Sequence, residues 1–298
     1  MMNASVERAL GAPVVVGVDG SGPSLRALDW AADEAVARGL PLRVVYACLW
    51  KRYEDAALAR DIGRPGTLPL AQDVVGAAAQ RARDRHPGLR VNVDMVFEEP
   101  EYALLREGRS AAALVVGSRG RGGIAEMLLG SVSLAVAARA DCPVIVLRAG
   151  PDDRAAPAAR GHVVVGVGED TKSAAVRFAV EEARRRGVPL DAVRAWRCPA
   201  HESTDHPLLA GEPARLREER AAQDLEAALR DVPDDVVVRR RTVEGHARQV
   251  LVDASHGAGL LVVGAARREG HFGPQLGSVA HAALHRSGCP VAVVPHDA

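Results

Sequence analysis

Glycine and serine residues between a predicted strand and a predicted helix have the spacing of a phosphate-binding loop. A fully apolar run, typical of a buried parallel strand, ends in Gly117. Gly120 follows, and Gly130 with Ser131 opens a helical pattern. Glycines let backbone N–H groups approach an anion, while the hydroxyl and the helix N-terminus add donors and a favourable dipole. The pattern predicts a phosphate site, in which Arg119 could reach a terminal phosphate or remain a solvated loop residue.

A carboxylate at the end of the first predicted strand completes the candidate site. Asp19 follows the apolar run at 14–18. In open α/β sheets, ligands lie beyond the carboxyl ends of the strands, where the strand order reverses. A carboxylate there accepts hydrogen bonds from a ribose hydroxyl or an adenine amino group and repels phosphates. We therefore expect the nucleoside at Asp19 and the phosphates between Gly117 and Ser131. The alternative is an aspartate that only caps the turn into the first helix.

The spacing Gly-x2-Gly-x9-Gly-Ser resembles the ATP-binding motif of the universal stress protein family, in a tandem-repeat member of actinobacterial type. The resemblance implies ATP as the ligand and leaves open whether Mg²⁺ accompanies it. It also implies that Asp19 belongs to the site and that adenine lies against the backbone at Ala47. The ATP-binding positions implied in the first half of the chain are Asp19, Ala47, Gly117, Arg119, Gly120, Gly130, Ser131, Val132 and Ser133.

The chain contains an internal repeat. The sequence Val-Val-Val-Gly at 14–17 recurs at 163–166, and other apolar, Gly-Ser and Cys-Pro motifs recur at nearly the same offset. A stretch rich in proline, glycine and charged residues separates the two copies, as a linker would. We therefore predict one domain over 1–149, a linker over 150–161 and a second domain of the same kind over 162–298.

The elements that position these residues alternate between strand and helix in both repeats. This alternation predicts right-handed βαβ crossovers and a parallel sheet with helices on both faces. The family resemblance implies two α/β domains with a Rossmann-like, adenine nucleotide alpha hydrolase-like fold, each with five strands in the order 3-2-1-4-5. We predict strands near 13–18, 42–47, 90–96, 113–117, 143–148, 162–167, 190–195, 235–241, 260–264 and 290–295, and first-repeat helices near 23–38, 68–85, 100–109 and 130–140.

The second repeat keeps only part of the motif. Arg267 takes the place of Gly120, and Gly168 takes the place of Asp19. If Gly120 needs a positive φ, an arginine at its counterpart would be strained, or it could approach a phosphate as a cation. We expect a weakened or lost second site. The positions that remain in register are Gly264, Gly277, Ser278 and Val279.

Composition excludes several other classes of function. The formal net charge is zero, so nothing indicates binding to nucleic acid or to an anionic membrane surface. No apolar segment approaches the ~20 residues of a membrane span, and no signal-peptide pattern is present. The four cysteines have no zinc-binding spacing, and His281 and His285 lack any further metal-binding motif. We expect a cytoplasmic protein without a metal site.

Three functions remain open. The leading hypothesis is an ATP-binding regulator of a stress or dormancy response, as the resemblance implies. Because no general base or dedicated magnesium carboxylates are evident, we expect at most slow ATP hydrolysis. The alternatives are an adenine-nucleotide-using enzyme, such as an ATP pyrophosphatase or adenylyltransferase, and an interaction module without nucleotide. The resemblance also implies pairing of domains through the last strand, a homodimer, and a protein partner that the sequence does not identify.

Overall fold

A computed structural model of the protein describes residues 11–47, 67–118, 120, 129–148, 161–170, 173–198, 212–265, 267–270 and 273–296. The chain divides into two compact units, Met1–Asp153 and Arg154–Ala298. Arg119 and most of the predicted linker lie outside the described residues, so the bounds of that linker remain a prediction.

The first unit is a five-stranded parallel sheet with helices between its strands. Its order is β3-β2-β1-β4-β5, which confirms the α/β fold class and the strand order. The strands are β1 (Val14–Gly17), β2 (Leu42–Ala47), β3 (Val91–Val96), β4 (Ala113–Gly117) and β5 (Val144–Leu147), and the helices are α1 (Gly22–Arg38), α2 (Thr67–Arg85), α3 (Pro100–Gly108) and α4 (Ser131–Arg139).

The central position of β1 creates the place where a ligand can bind. Val14 pairs with Leu42 on one side and with Ala113 on the other, so β1 lies between β2 and β4. Its valines are fully buried, as expected of a strand covered on both faces. The chain leaves β1 towards β2 and returns later on the opposite side as β4. The strand order therefore reverses between β1 and β4, and a crevice is expected beyond their carboxyl ends.

Local sequence signals set the ends of the helix that follows β1. The hydroxyl oxygen of Ser21 accepts a hydrogen bond from the backbone N–H of Ser24 at 3.4 Å, which makes Ser21 the N-cap of α1. Pro23 lies in the first turn, where a missing N–H has little cost. Gly39 ends the helix with a left-handed φ of 64°. These signals start α1 directly after the turn that contains Asp19.

Ion pairs join α1 to α2. The Arg81 guanidinium donates two hydrogen bonds of 2.7 Å to the Asp29 carboxylate. One turn further, Arg85 donates two of 2.6 Å to Asp33, and the His86 ring lies 2.7 Å from the same carboxylate. Burial alone would raise the pKa of Asp33, but the hydrogen bonds and charges of Arg85 and His86 lower it below its ordinary value. These contacts hold the two helices on one face of the sheet.

The second unit repeats this architecture. Its parallel sheet has the order β8-β7-β6-β9-β12, which is the order of the first unit. Its elements are β6 (Val163–Gly166), α5 (Ala174–Arg186), β7 (Leu190–Trp196), α6 (Glu212–Ala228), β8 (Val238–Glu244), α7 (Ala247–Ala254), β9 (Leu260–Ala265), β10 (Arg267–Gly270), β11 (Gly273–Leu276), α8 (Ser278–Arg286) and β12 (Val291–Pro295).

Two features of the second unit differ from the prediction. The strand predicted at 235–241 begins at Val238, because a turn precedes it in which the Val236 N–H donates to the Pro233 carbonyl at 3.1 Å. The antiparallel hairpin β10–β11 was not predicted. It occupies the segment between β9 and α8, where the first unit carries the loop with Gly120. The short polar and glycine-rich strands of this hairpin have no apolar alternation that would identify them.

The cysteine before each final strand is a packing residue. Cys142 and Cys289 are buried, and burial raises the pKa of each thiol to about 12. A thiol with so high a pKa is almost wholly protonated at neutral pH and reacts slowly. In the described part of the chain, no helix is long and apolar enough to cross a membrane.

Candidate functional site

A cleft of about 520 Å³ opens in the first unit beyond the carboxyl ends of β1, β2 and β4. Its size is within the range of small-molecule sites. The ends of α3 and α4 that face this edge of the sheet complete its walls. The cleft brings together every described residue predicted for the first-repeat site: Asp19, Ala47, Gly117, Gly120, Gly130, Ser131, Val132 and Ser133.

The Asp19 side chain stabilises the turn before α1 and faces the cleft. Its Oδ1 accepts hydrogen bonds from the backbone N–H of Ser21 at 2.9 Å and from the Ser21 hydroxyl at 2.6 Å. These bonds hold the turn before α1, although the N-cap itself is Ser21. The other oxygen, Oδ2, is directed towards Gly120. Asp19 therefore stabilises the turn and also presents a carboxylate to the cleft.

Gly117 and Gly120 are required because other atoms approach them closely. A Cβ on Gly117 would lie 2.8 Å from the carbonyl carbon and oxygen of Pro23. A Cβ on Gly120 would lie 2.5 Å from Asp19 Oδ2. Gly120 does not have a left-handed φ, so the reason considered for a glycine there, a positive φ, is wrong. The physical reason is steric, since a side chain would occupy the space of the carboxylate.

The start of α4 forms the opposite wall. Gly130 is the N-cap, with φ −68° and ψ 148°, and no side chain caps the first turn. The first backbone N–H groups of a helix have no intrahelical acceptor, so they are available to an anion, and the helix dipole favours one. Ser131 is exposed at this position. The Ser133 hydroxyl is buried and donates to the Gly117 carbonyl at 2.7 Å, which fastens α4 to the end of β4.

Aliphatic side chains form the remaining wall, and the sequence did not single them out. Valine and leucine at strand ends have the same pattern as valine and leucine in the core, so composition alone cannot separate them. One of them could have been predicted from the sequence. Val45 lies two residues before Ala47, so the two residues share one face of β2. The additional lining residues are Gly17, Val18, Ser24, Val45, Pro100, Leu104, Val116 and Leu129.

The chemistry that this lining offers is recognition. Among the lining residues that the structure describes, Asp19 is the one carboxylate, and none is a histidine, lysine or cysteine. In the described part of the chain, no three histidine, cysteine, aspartate or glutamate side chains are grouped so that they could hold a metal ion. The uncapped turn at Gly130 fits a phosphate group, and Asp19 fits a hydroxyl or amino donor.

Comparison with known proteins identifies the family. The model of the universal stress protein family matches residues 12–148 and, a second time, 159–295. The chain belongs to the universal stress protein family. Universal stress protein Rv2005c of Mycobacterium tuberculosis is 34% identical over 302 residues, which cover 94% of this chain and 96% of that protein. The crystal structure of a universal stress protein from Archaeoglobus fulgidus has the same fold, with a TM-score of 0.68 at 17% identity over 96% of this chain and 98% of that one.

The second universal stress protein domain keeps the helix start of the motif and alters the strand ends. Gly277 is the N-cap of α8 with φ −61° and ψ 158°, close to the values at Gly130. Because Gly168 takes the place of Asp19, this position has no side-chain carboxylate; it is exposed, and a Cβ there would meet nothing within 4 Å. Gly264 lies in β9, where a Cβ would be 3.3 Å from the His296 ring.

The other predicted residues of the second domain lie at the beginning of α8 and in the hairpin. Ser278 is exposed, and Val279 is half-buried in the first turn of the helix. The backbone of Arg267 pairs with Leu276 in the hairpin. The structure therefore places the second-domain positions on a strand, a hairpin and a helix start that follow one another in the same order as the first-domain motif.

Proposed function

We propose that the first universal stress protein domain binds ATP in its cleft and that the protein acts as a nucleotide-dependent regulator in a stress response. The observation that carries this proposal is the convergence of the predicted motif residues on one cavity of about 520 Å³. These residues lie far apart in the sequence, between Asp19 and Ser133. Their meeting around one space of ligand size supports a shared role in binding.

The topology supports one orientation of the nucleotide. The strands β2 and β4 lie on opposite sides of β1. The cleft therefore has an aliphatic end beside β2 and, beside β4, an end where the first backbone N–H groups of α4 are available. Adenine would lie at the aliphatic end, against Val45, Ala47 and Leu104. The phosphates would lie at the first turn of α4. Asp19 is between the two ends and would accept a hydrogen bond from the ribose.

The same geometry favours signalling by occupancy over rapid hydrolysis. A general base must reach the water that attacks the terminal phosphate. Asp19 is the only carboxylate of the described lining, it would face the ribose in this orientation, and its Oδ1 already accepts two hydrogen bonds. Slow hydrolysis is compatible with this arrangement, in which the phosphate end has amide and hydroxyl donors.

Nucleotide content and affinity test the proposal directly. Freshly purified protein should release adenine nucleotide on denaturation, and calorimetry of stripped protein should record binding of ATP. In Asp19→Asn, the amide oxygen can still accept hydrogen bonds from Ser21. The amide nitrogen is a donor, however, and it would stand where the ribose hydroxyl needs an acceptor. We expect ATP affinity to fall ~10-fold or more. The matched control is Asp170→Asn, an exposed aspartate of the second domain.

The results would also separate the alternatives. If the protein releases no nucleotide and ATP produces no heat, the proposal fails in favour of an interaction module. Release of pyrophosphate in the presence of an acceptor would instead indicate an adenine-nucleotide-using enzyme. Unchanged ATP affinity in Asp19→Asn would contradict the role given to the carboxylate.

We further propose that the second domain does not bind ATP and that the chain forms a homodimer. Gly168 offers no side-chain acceptor for a ribose, and Arg267, in the β10–β11 hairpin, takes the place of Gly120. The expected content is therefore one nucleotide per chain, and a ratio of two would contradict it. Light scattering at micromolar concentration should give the mass of two chains, whereas the mass of one chain would contradict the dimer.

A further inference from the structure

A groove between α7 and α8 in the second domain is lined by basic and imidazole side chains. Its volume is about 570 Å³. Among its described lining residues, none is a carboxylate. The basic, imidazole and hydroxyl groups of the lining belong to His246, Arg248, Ser278, His281, His285 and Arg286.

The corresponding helices of the first domain have an acid in this place. Glu101 is the second residue of α3, and Arg139 is the last residue of α4. Arg139 Nη2 lies 3.3 Å from Glu101 Oε2, and the guanidinium lies 5.7 Å from the centre of the Tyr102 ring. The first domain therefore compensates this arginine with a carboxylate and an aromatic face.

The second domain keeps the arginine and reverses the charge of its partner. Arg286 is the last residue of α8, as Arg139 is of α4, and Arg248 is the second residue of α7, as Glu101 is of α3. Within the part of the chain that the structure describes, neither Arg248 nor Arg286 forms an ion pair. Two guanidinium groups that line one groove repel each other, and this repulsion favours binding of an anion.

Both basic and acidic groups lie around the groove. Arg197 Nη1 lies 2.9 Å from Nδ1 of His246, so a third guanidinium borders it. The rings of His281 and His285 lie against each other, with their centres 4.4 Å apart. The nearby acid on α7 is Asp253, whose Oδ1 accepts a hydrogen bond from the Gln249 side chain at 2.8 Å. Glu244 ends β8 as an exposed residue.

We propose that this groove binds the phosphate group of a small phosphorylated molecule. Arginine presents paired N–H donors that match phosphate oxygens, and two arginines on facing helices can bind one phosphate from both sides. The Ser278 hydroxyl also lines the groove, at the opposite end of α8 from Arg286. The volume of about 570 Å³ leaves space for the rest of the molecule beside its phosphate. This site shares no residue with the ATP cleft of the first domain.

Arg248→Glu is a precise variant, because it installs the residue type that the first domain has at this position. The new glutamate can pair with Arg286, as Glu101 pairs with Arg139, so the variant is expected to fold. Calorimetry on the full chain would compare inorganic phosphate, ribose 5-phosphate and ribose in a chloride buffer. The matched control is Arg230→Glu, the same charge change at an exposed residue outside the groove.

We expect the wild-type protein and Arg230→Glu to bind inorganic phosphate and ribose 5-phosphate but not ribose. In Arg248→Glu, the affinity for these two probes should fall by ~10-fold or more. Tighter binding of ribose 5-phosphate than of inorganic phosphate would identify a phosphorylated molecule as the ligand, and equal binding would identify the free ion. Equal affinities in wild type and Arg248→Glu, or binding of ribose alone, would overturn the proposal. Asp19→Asn changes the ATP cleft and leaves the groove intact. It should therefore keep the phosphate binding that is lost in Arg248→Glu, which makes this test independent of the ATP cleft.

Discussion

The carboxylate of Asp19 and the α-carbon of Gly120 are so close that no side chain fits between them. A Cβ on Gly120 would lie 2.5 Å from Asp19 Oδ2. One residue follows β1 and the other follows β4, the two strands on either side of the reversal in strand order. The glycine of the motif and the aspartate of the first strand are therefore parts of one arrangement, in which the glycine leaves space for the carboxylate.

Gly120→Ala should separate the effect on binding from the effect on folding. The new methyl group would displace the end of the Asp19 side chain, which can rotate, so the change in the free energy of unfolding should be below ~1 kcal/mol. We expect ATP affinity to fall ~10-fold, because the carboxylate can no longer face the ribose. Calorimetry and urea unfolding would measure the two quantities. Gly168→Ala, where a Cβ meets nothing within 4 Å, is the matched control.

Gly117→Ala should instead destabilise the protein. Its Cβ would lie 2.8 Å from the backbone carbonyl of Pro23, which can move only if the start of α1 moves. We expect a loss of about 1–3 kcal/mol in the free energy of unfolding, together with loss of ATP binding. Gly264→Ala is the control in the same urea unfolding measurement. Its Cβ would meet the His296 ring at 3.3 Å, and a side chain can move more easily than a backbone carbonyl, so the loss of stability should be smaller. An equal effect of the two substitutions would contradict this assignment.

Acid should weaken the junction of α1 and α2. Because the folded pKa of Asp33 is below its ordinary value of 3.8, its ionised form stabilises the folded state at neutral pH. This contribution is complete above the unfolded pKa and is lost as the pH falls through the folded pKa. In urea unfolding between pH 6 and pH 3, Asp33→Asn should be less stable than wild type at pH 6, and the difference should narrow with acid. A constant difference over this range would show that the charge of Asp33 does not matter.

The buried thiols should resist modification in the folded protein. Burial raises the pKa of Cys142 and Cys289 from 9.0 to about 12, which lowers the thiolate fraction at pH 8 roughly a thousandfold. In a Cys48→Ser and Cys198→Ser double variant, a thiol reagent should react very slowly until denaturant is added. Rapid reaction of the folded variant would contradict the burial of these cysteines.

Much of the fold follows from local patterns. Uninterrupted apolar runs predicted the buried strands, including Val14–Gly17 and Ala113–Gly117, because a parallel sheet covered on both faces needs apolar residues at every position. The start of β8 was misplaced because Val236 looks like a strand residue but is held in a turn by Pro233. The hairpin after β9 was missed because its pairing joins Arg267 to Leu276 across a polar, glycine-rich stretch without periodicity.

The sequence by itself determined the two repeats, the order of their elements and the motif residues of the first cleft, because periodicity, glycine spacing and repetition are properties of the chain. Only the tertiary structure decided why those residues are needed and what accompanies them. Gly120 faces Asp19, the Ser133 hydroxyl fastens α4 to β4, and the side chains that line the groove between α7 and α8 meet across two helices. Such relationships depend on distances between segments that are remote along the chain, which packing alone establishes.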